Sequence, residues 1–161
     1  MKTYISWILS IFVAFIFVQS TFFKFSGAEE TVIIFSTIGQ WMASIGLPGV
    51  ISESFGAFGG YIVGSVELVA AALILVPLTR RIGAGISMAV MSGAIFFHLF
   101  TPLGVDRVID QAGTTDGGAL FFTAVAIWLS SAVLLGLSRA QVTRQRPHAE
   151  AAETHAEAAA A

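Results

Sequence analysis

The sequence contains no cysteine among its 161 residues. This absence excludes disulfides, thiolate nucleophiles and iron–sulfur ligation by the chain itself, so a redox role would require a bound cofactor or the thiols of a partner. Charged residues are also scarce, at 11% of the chain, whereas soluble proteins contain about 25%. The few basic residues form no extended patch, which excludes a typical nucleic-acid-binding surface.

Long apolar stretches take the place of the missing charge. They cover about residues 4–23, 59–78, 82–101 and 118–137, and each is close to the roughly 20 residues that a helix needs to cross a bilayer. The sequence therefore predicts an all-α fold, a four-helix transmembrane bundle that forms one domain over residues 1–137. An N-terminal signal peptide is a weaker alternative, because the first apolar stretch exceeds the about 7–15 residues typical of such peptides.

A shorter segment lies between the first two spans. We predict a helix over about residues 28–45 that lies at the membrane interface or re-enters the membrane, with Ser26 and Glu29 as a capping box at its start. Gly39 interrupts its apolar pattern, and a fifth span would place the two termini on opposite sides of the membrane. The glycine-rich residues 46–60 are predicted to form an irregular connection into the second span.

The positions of the basic residues predict the orientation of the bundle. Six of the eight lie at one end, which the positive-inside rule makes cytoplasmic. These six are Lys2, Arg80, Arg81, Arg139, Arg144 and Arg146. An even number of spans then places the N- and C-termini in the cytoplasm. The alanine- and glutamate-rich residues 138–161 are predicted to be a disordered or marginally helical cytoplasmic tail.

Small residues recur at intervals of four in two of the spans. Gly60 and Gly64 form one such face, and Gly85, Ala89 and Gly93 form a second. Faces of this type allow helix backbones to approach closely in membranes. We therefore predict close helix packing at both faces, within the bundle or between copies in a homo-oligomer.

Two ionisable residues lie inside the apolar stretches, Glu67 in the second and His98 in the third. With a rise of about 1.5 Å per residue, both fall in the outer half of the bundle, at depths close to those of Gln19, Lys24 and Asp116. We predict that these five residues form one polar pocket. The spans offer no metal-binding set, and they lack a second histidine for haem ligation.

This pocket has a functional and a structural interpretation. In the first, Glu67 and His98 form a proton-relay pair beside a quinone headgroup, and Gln19 or Lys24 donates a hydrogen bond to a quinone oxygen. Quinone reduction takes up protons, and an imidazole can exchange protons near neutral pH. In the second, Glu67 hydrogen-bonds a serine or threonine of a neighbouring span and His98 faces interfacial water, so that both fix the helix register. The residues leave both interpretations open.

Four segments resemble the DoxX family of small four-span bacterial membrane proteins. They are QSTFFKF at residues 19–25, SVELVAAALILVPLTR at 65–80, MSGAIFFHL at 91–99 and DGG at 116–118. The resemblance covers roughly residues 4–137. It implies a multi-pass protein of the bacterial inner membrane. It also implies a link to membrane oxidoreductases, because the family takes its name from a subunit of a thiosulfate:quinone oxidoreductase.

We therefore expect a quinone-interacting or anchoring subunit of a membrane oxidoreductase system. It would bind no cofactor covalently, would take quinone as its ligand and would act with a soluble or membrane-bound oxidoreductase partner. One alternative is a non-catalytic membrane scaffold or assembly protein. Another is a small-solute or proton-coupled transporter, for which four spans would have to dimerise. Whether the chain is itself an enzyme stays open.

Overall fold

The computed structural model describes residues 2–137, and the predicted tail lies outside these residues. The described chain is all-α, with five helices and no strands, which confirms the predicted fold class. The helices are α1 Lys2–Phe25, α2 Glu29–Ser44, α3 Gly49–Leu75, α4 Arg80–Phe100 and α5 Ala119–Leu137.

Four of the helices, α1, α3, α4 and α5, are long and apolar enough to cross a membrane. Their outward faces carry large apolar side chains, including Ile8, Phe15, Phe122 and Leu129, all of which are exposed. Lipid solvates such side chains, whereas contact with water would cost roughly 25 cal/mol per Å² of apolar surface. The chain is therefore an integral, multi-pass membrane protein whose environment is a lipid bilayer.

The largest departure from the prediction lies at the start of α3. The expected irregular connection over residues 46–60 is wrong, because the helix already begins at Gly49. The glycines of this stretch allow α3 to pack closely against α2. A Cβ on Gly59 would lie 2.5 Å from Cδ1 of Phe35. Contact with α2 compensates for the low helix propensity of these glycines, and a local pattern cannot reveal that.

The predicted capping box is also wrong. Ala28 occupies the N-cap position of α2, and no side chain caps the helix. Ser26 instead follows the last residue of α1, and its Oγ donates a hydrogen bond to Phe23 O at 3.1 Å. Gly27 follows with φ +67°, the left-handed conformation that commonly ends a helix. The serine therefore takes part in closing the preceding helix.

The central helix of the bundle is α3, which packs against α1, α2 and α4. The core contains fully buried apolar side chains from α1, α3 and α5, among them Phe17, Ile74 and Ile127. Only residues 76–79 separate α3 from α4. These two helices are therefore antiparallel neighbours, as the short turn predicts.

The two predicted small-residue faces differ in their surroundings. Gly60 and Gly64 lie at tight contacts, since a Cβ on them would lie 3.0 Å from Thr31 Cγ2 and 2.8 Å from Phe25 Cε1. A Cβ on Gly85 or Gly93 would meet no atom within 4 Å.

The close approach of α4 to α3 is at Gly83, where a Cβ would lie 2.6 Å from Ile74 N. Positions 83 and 85 are about 200° apart around a helix, so they face different neighbours. Gly85 and Gly93 thus make no close helix contact within the described chain.

Replacing Gly83 with alanine is expected to lower the free energy of unfolding by about 1–3 kcal/mol. The new methyl group would press on the backbone of α3, including Ala70 O at 2.9 Å, and overpacking of this kind has that typical cost. Gly85→Ala is the matched control in the same helix. It should be neutral or stabilising by up to about 1 kcal/mol, because alanine is the better helix former. Equal unfolding midpoints for the two variants in detergent would contradict the packing at Gly83.

Candidate functional site

A cavity of about 530 Å³ lies among the helices, at the end of the bundle where α1 and α4 end and α5 begins. We call this end the loop end. The cavity wall is mostly apolar, and its volume is within the range of roughly 300–1,000 Å³ that is typical of small-molecule sites. Its polar side chains come from all five helices: Gln19, Ser20, Lys24, Glu30, Thr31, Glu67, His98 and Thr123.

An ion pair joins α1 and α3 at the cavity wall. Lys24 Nζ lies 2.7 Å from Glu67 Oε2, and the two side chains are 14% and 3% exposed. Lys24 Nζ also donates a hydrogen bond to Ser20 Oγ, one turn earlier in α1. The pair satisfies a carboxylate that would be costly if left alone in the apolar part of the membrane.

Gly64 explains how the two helices approach closely enough for this ion pair. It lies three residues before Glu67 in α3, where a Cβ would lie 3.4 Å from Lys24 Cδ and 2.8 Å from the Phe25 ring. Thr21 Oγ1 also donates a hydrogen bond to Gly64 O at 3.1 Å. The missing side chain at Gly64 therefore leaves room for the end of α1.

His98, in the last turn of α4, connects the cavity to the segment between α4 and α5. Its Nδ1 lies 2.6 Å from Gly104 O. A carbonyl oxygen can only accept, so Nδ1 donates this hydrogen bond and Nε2 takes no part in it. His98 thus holds this segment through Nδ1, and its Nε2 is not used by that contact.

The predicted relay pair of Glu67 and His98 is not a direct contact. Glu67 pairs with Lys24, whereas His98 bonds Gly104 O. Both side chains line the same cavity. A proton could pass between them only through a molecule or waters in that cavity.

Asp116 is the one predicted pocket residue that does not line the cavity. It caps α5, where Oδ1 accepts from Gly118 N and Oδ2 accepts from Leu120 N, both at 3.0 Å. Burial alone would raise the pKa of Asp116. The hydrogen bonds from Leu120, Gly118 and Arg107 and the charge of Arg107 outweigh burial, so the pKa lies below its usual value. Asp116 is therefore an ionised structural residue, and the structure brings the other four, Gln19, Lys24, Glu67 and His98, together.

Sequence reasoning missed the importance of Arg107. This residue lies in the strap, our name for residues 101–118, and is only 2% exposed. Its Nη2 pairs closely with Glu30 Oε1 of α2, and its Nε lies 3.7 Å from Asp116 Oδ2. Glu30 itself lines the cavity. Arg107 thus fastens the strap to the cavity wall.

A second contact fastens the strap to the first turn of α2. Gln111 N donates a hydrogen bond to Glu29 Oε1 at 2.8 Å. Leu103, at the start of the strap, contributes to the cavity lining. The strap therefore closes the loop end of the bundle beside the cavity, and the polar cluster there is held by residues far apart in sequence.

No curated protein and no solved structure matches the chain at a significant level. The family model of DoxX matches residues 7–100. This range includes the four predicted residues that line the cavity and leaves out the strap and α5. Since the match spans more than half of the 161 residues, the chain belongs to the DoxX family.

Proposed function

We propose that the protein binds the headgroup of a membrane quinone in this cavity and serves as a quinone-interacting subunit of a membrane oxidoreductase system. The observation that carries the proposal is the presence of the Lys24–Glu67 ion pair and His98 in the wall of a largely apolar cavity. A quinone combines an apolar ring and tail with two carbonyl oxygens. The cavity offers surfaces suited to both parts.

The hydrogen-bonding capacity of Lys24 fits a carbonyl ligand. An ammonium group has three donors, and Ser20 Oγ and Glu67 Oε2 take two of them. The third is available to a ligand oxygen. The side-chain amide of Gln19, which also lines the cavity, can donate to the same class of oxygen.

The acid–base groups fit a ligand that exchanges protons. A bound quinone would accept electrons and protons. His98 Nε2 can hold a proton while Nδ1 stays bonded to Gly104 O, and Glu67 can hold one beside Lys24. Because the chain has no cysteine, any oxidation of a thiol would take place on a partner protein. We assign this chain the binding and proton-handling part of such a system.

Titration with a short-chain ubiquinone and with a short-chain menaquinone tests the proposal. Each would be added to the purified protein in nanodiscs, and tryptophan quenching would report binding. Glu67→Gln and His98→Ala should each weaken binding about tenfold or more, because a charge-assisted hydrogen bond contributes about 1.5–3 kcal/mol.

Ser65→Ala is the control for this titration. Ser65 is exposed on α3, and its hydroxyl bonds only Tyr61 O in the same helix. This variant should bind as the parent does. If Glu67→Gln and His98→Ala also bind as tightly as the parent, the site assignment is wrong.

A second candidate is a non-catalytic membrane scaffold. The observation that favours it is Gly85 of α4, where a Cβ would meet no atom within 4 Å in the described chain. A helix of a partner or of a second copy could pack there. In that case Glu67→Gln would alter stability and partner recovery, and the parent protein would bind no quinone.

We also propose the bacterial inner membrane as the location, with both termini in the cytoplasm. Arg80 and Arg81 support this orientation, because they lie at the start of α4 and therefore at the end of the bundle where α1 begins. Basic residues in the short loops that connect membrane spans favour the cytoplasmic side of the membrane.

A further inference from the structure

Arg80, the first residue of α4, is a buried cation at the end of the bundle opposite the cavity. It is 8% exposed, and no carboxylate of the described residues pairs with it. Its Nε donates a hydrogen bond to Ile74 O at 3.0 Å, and its Cζ lies 4.4 Å from the centroid of the Trp7 ring. Its Nη2 is buried without a hydrogen-bond partner. A buried charge without an anion is costly, so this position favours an anionic ligand.

The start of α4 provides further donors beside this guanidinium. No side chain caps the helix. Thr79 O accepts hydrogen bonds from the N–H groups of Ile82 and Gly83, and the N–H groups of Arg80 and Arg81 precede these and have no acceptor within the helix. The N-terminus of a helix attracts anions through such groups and through its dipole.

The guanidinium and this first turn lie side by side. Ile74, whose carbonyl oxygen holds the guanidinium, has its backbone N 2.6 Å from the position of a Cβ on Gly83. Gly83 belongs to the first turn of α4. Arg81 is exposed next to Arg80 and adds a second positive charge. The buried guanidinium of Arg80 therefore lies at the start of α4, whose first N–H groups have no acceptor within the helix.

We propose that this place binds the phosphate of an anionic membrane phospholipid. The apolar part of α4 begins directly after Arg81, which puts the site at the membrane boundary where lipid phosphates lie. Tryptophan also concentrates at this depth, and the Trp7 ring supports the guanidinium. The phosphate would accept hydrogen bonds from the Arg80 guanidinium and from the first N–H groups of α4. This site is independent of the quinone proposal.

The test measures ligand binding to delipidated, detergent-purified protein by thermal shift and native mass spectrometry. Three probes are compared: dioctanoyl phosphatidylglycerol, dioctanoylglycerol and inorganic phosphate. The phospholipid should bind at least tenfold more tightly than dioctanoylglycerol, which has the same acyl chains without the phosphate. If inorganic phosphate binds as tightly as the phospholipid, the proposal of a lipid ligand is wrong and the site binds free phosphate.

Two variants locate the site. Arg80→Gln should lose about tenfold or more in affinity for dioctanoyl phosphatidylglycerol and keep its weak affinity for dioctanoylglycerol. Arg81→Gln, at an exposed position that tolerates substitution, should show a smaller loss of the same kind and serves if Arg80→Gln does not fold. The proposal is overturned if the parent protein binds the phospholipid and dioctanoylglycerol equally well. It is also overturned if Arg81→Gln, together with Arg80→Gln where that variant folds, keeps the phospholipid affinity of the parent.

Discussion

Replacing Lys24 with methionine is expected to lower the free energy of unfolding by about 3–5 kcal/mol, the typical cost of removing one partner from a buried ion pair. The change leaves Glu67, which is 2% exposed, without its ammonium partner. The double variant Lys24→Met/Glu67→Leu should recover most of the loss, because an apolar pair of similar volume often replaces a buried ion pair at little cost.

Equilibrium unfolding in mixed micelles, carried out on the parent, both single variants and the double variant, measures this coupling. Ser65→Ala, two residues from Glu67 on the exposed side of α3, is the control and should change stability by less than about 0.5 kcal/mol. Purely additive effects of the two single substitutions would contradict the ion pair, since residues in contact couple and independent residues do not.

Replacing Arg107 with methionine is expected to lower the free energy of unfolding by about 3 kcal/mol, a typical cost of removing one partner from a buried ion pair, and to release the strap. Arg107 is almost fully buried and neutralises two carboxylates, those of Glu30 and Asp116. Without the cation, Asp116 keeps its hydrogen bonds at the start of α5, but the link between the strap and α2 is lost. Local opening of this kind raises amide exchange where the backbone is no longer held.

Hydrogen–deuterium exchange over residues 101–118 measures the release. Gln111→Ala is the matched control in the same strap, because only the backbone N–H of Gln111 contacts Glu29. It should exchange as the parent does. A strap that exchanges equally slowly in Arg107→Met would show that the ion pairs do not hold it.

The sequence predicts the membrane helices well because their signal is local. A run of about 20 apolar residues has few structural options in a membrane, and the spans formed by α1, α4 and α5 are close to the predicted ranges. The sequence did not predict the start of α3, because glycines such as Gly56, Gly59 and Gly60 usually indicate an interruption of a helix. Their role depends on Phe35 and Thr31 of α2, which no pattern within α3 discloses.

The candidate site was predictable only in part, for a related reason. Depth along each span brings Lys24 and Glu67 to the same level, and they are in contact. Depth does not specify which face of a helix meets which neighbour, so it did not reveal that Glu67 pairs with Lys24 while His98 bonds Gly104 O. Arg107 had no local signal at all, because its partners are set by the folding of the strap back onto α2.

Photolabelling with an azido-quinone, followed by mass spectrometry of the labelled peptides, tests the central claim most directly. The account predicts labels on the cavity-lining parts of α1, α3 and α4, within residues 16–24, 62–67 and 89–98. An excess of unlabelled quinone should suppress these labels, whereas labels on lipid-facing positions such as Ile8 and Phe15 should persist. Labelling spread over the lipid-facing surface, with no suppression at the cavity, would contradict a quinone site in this protein.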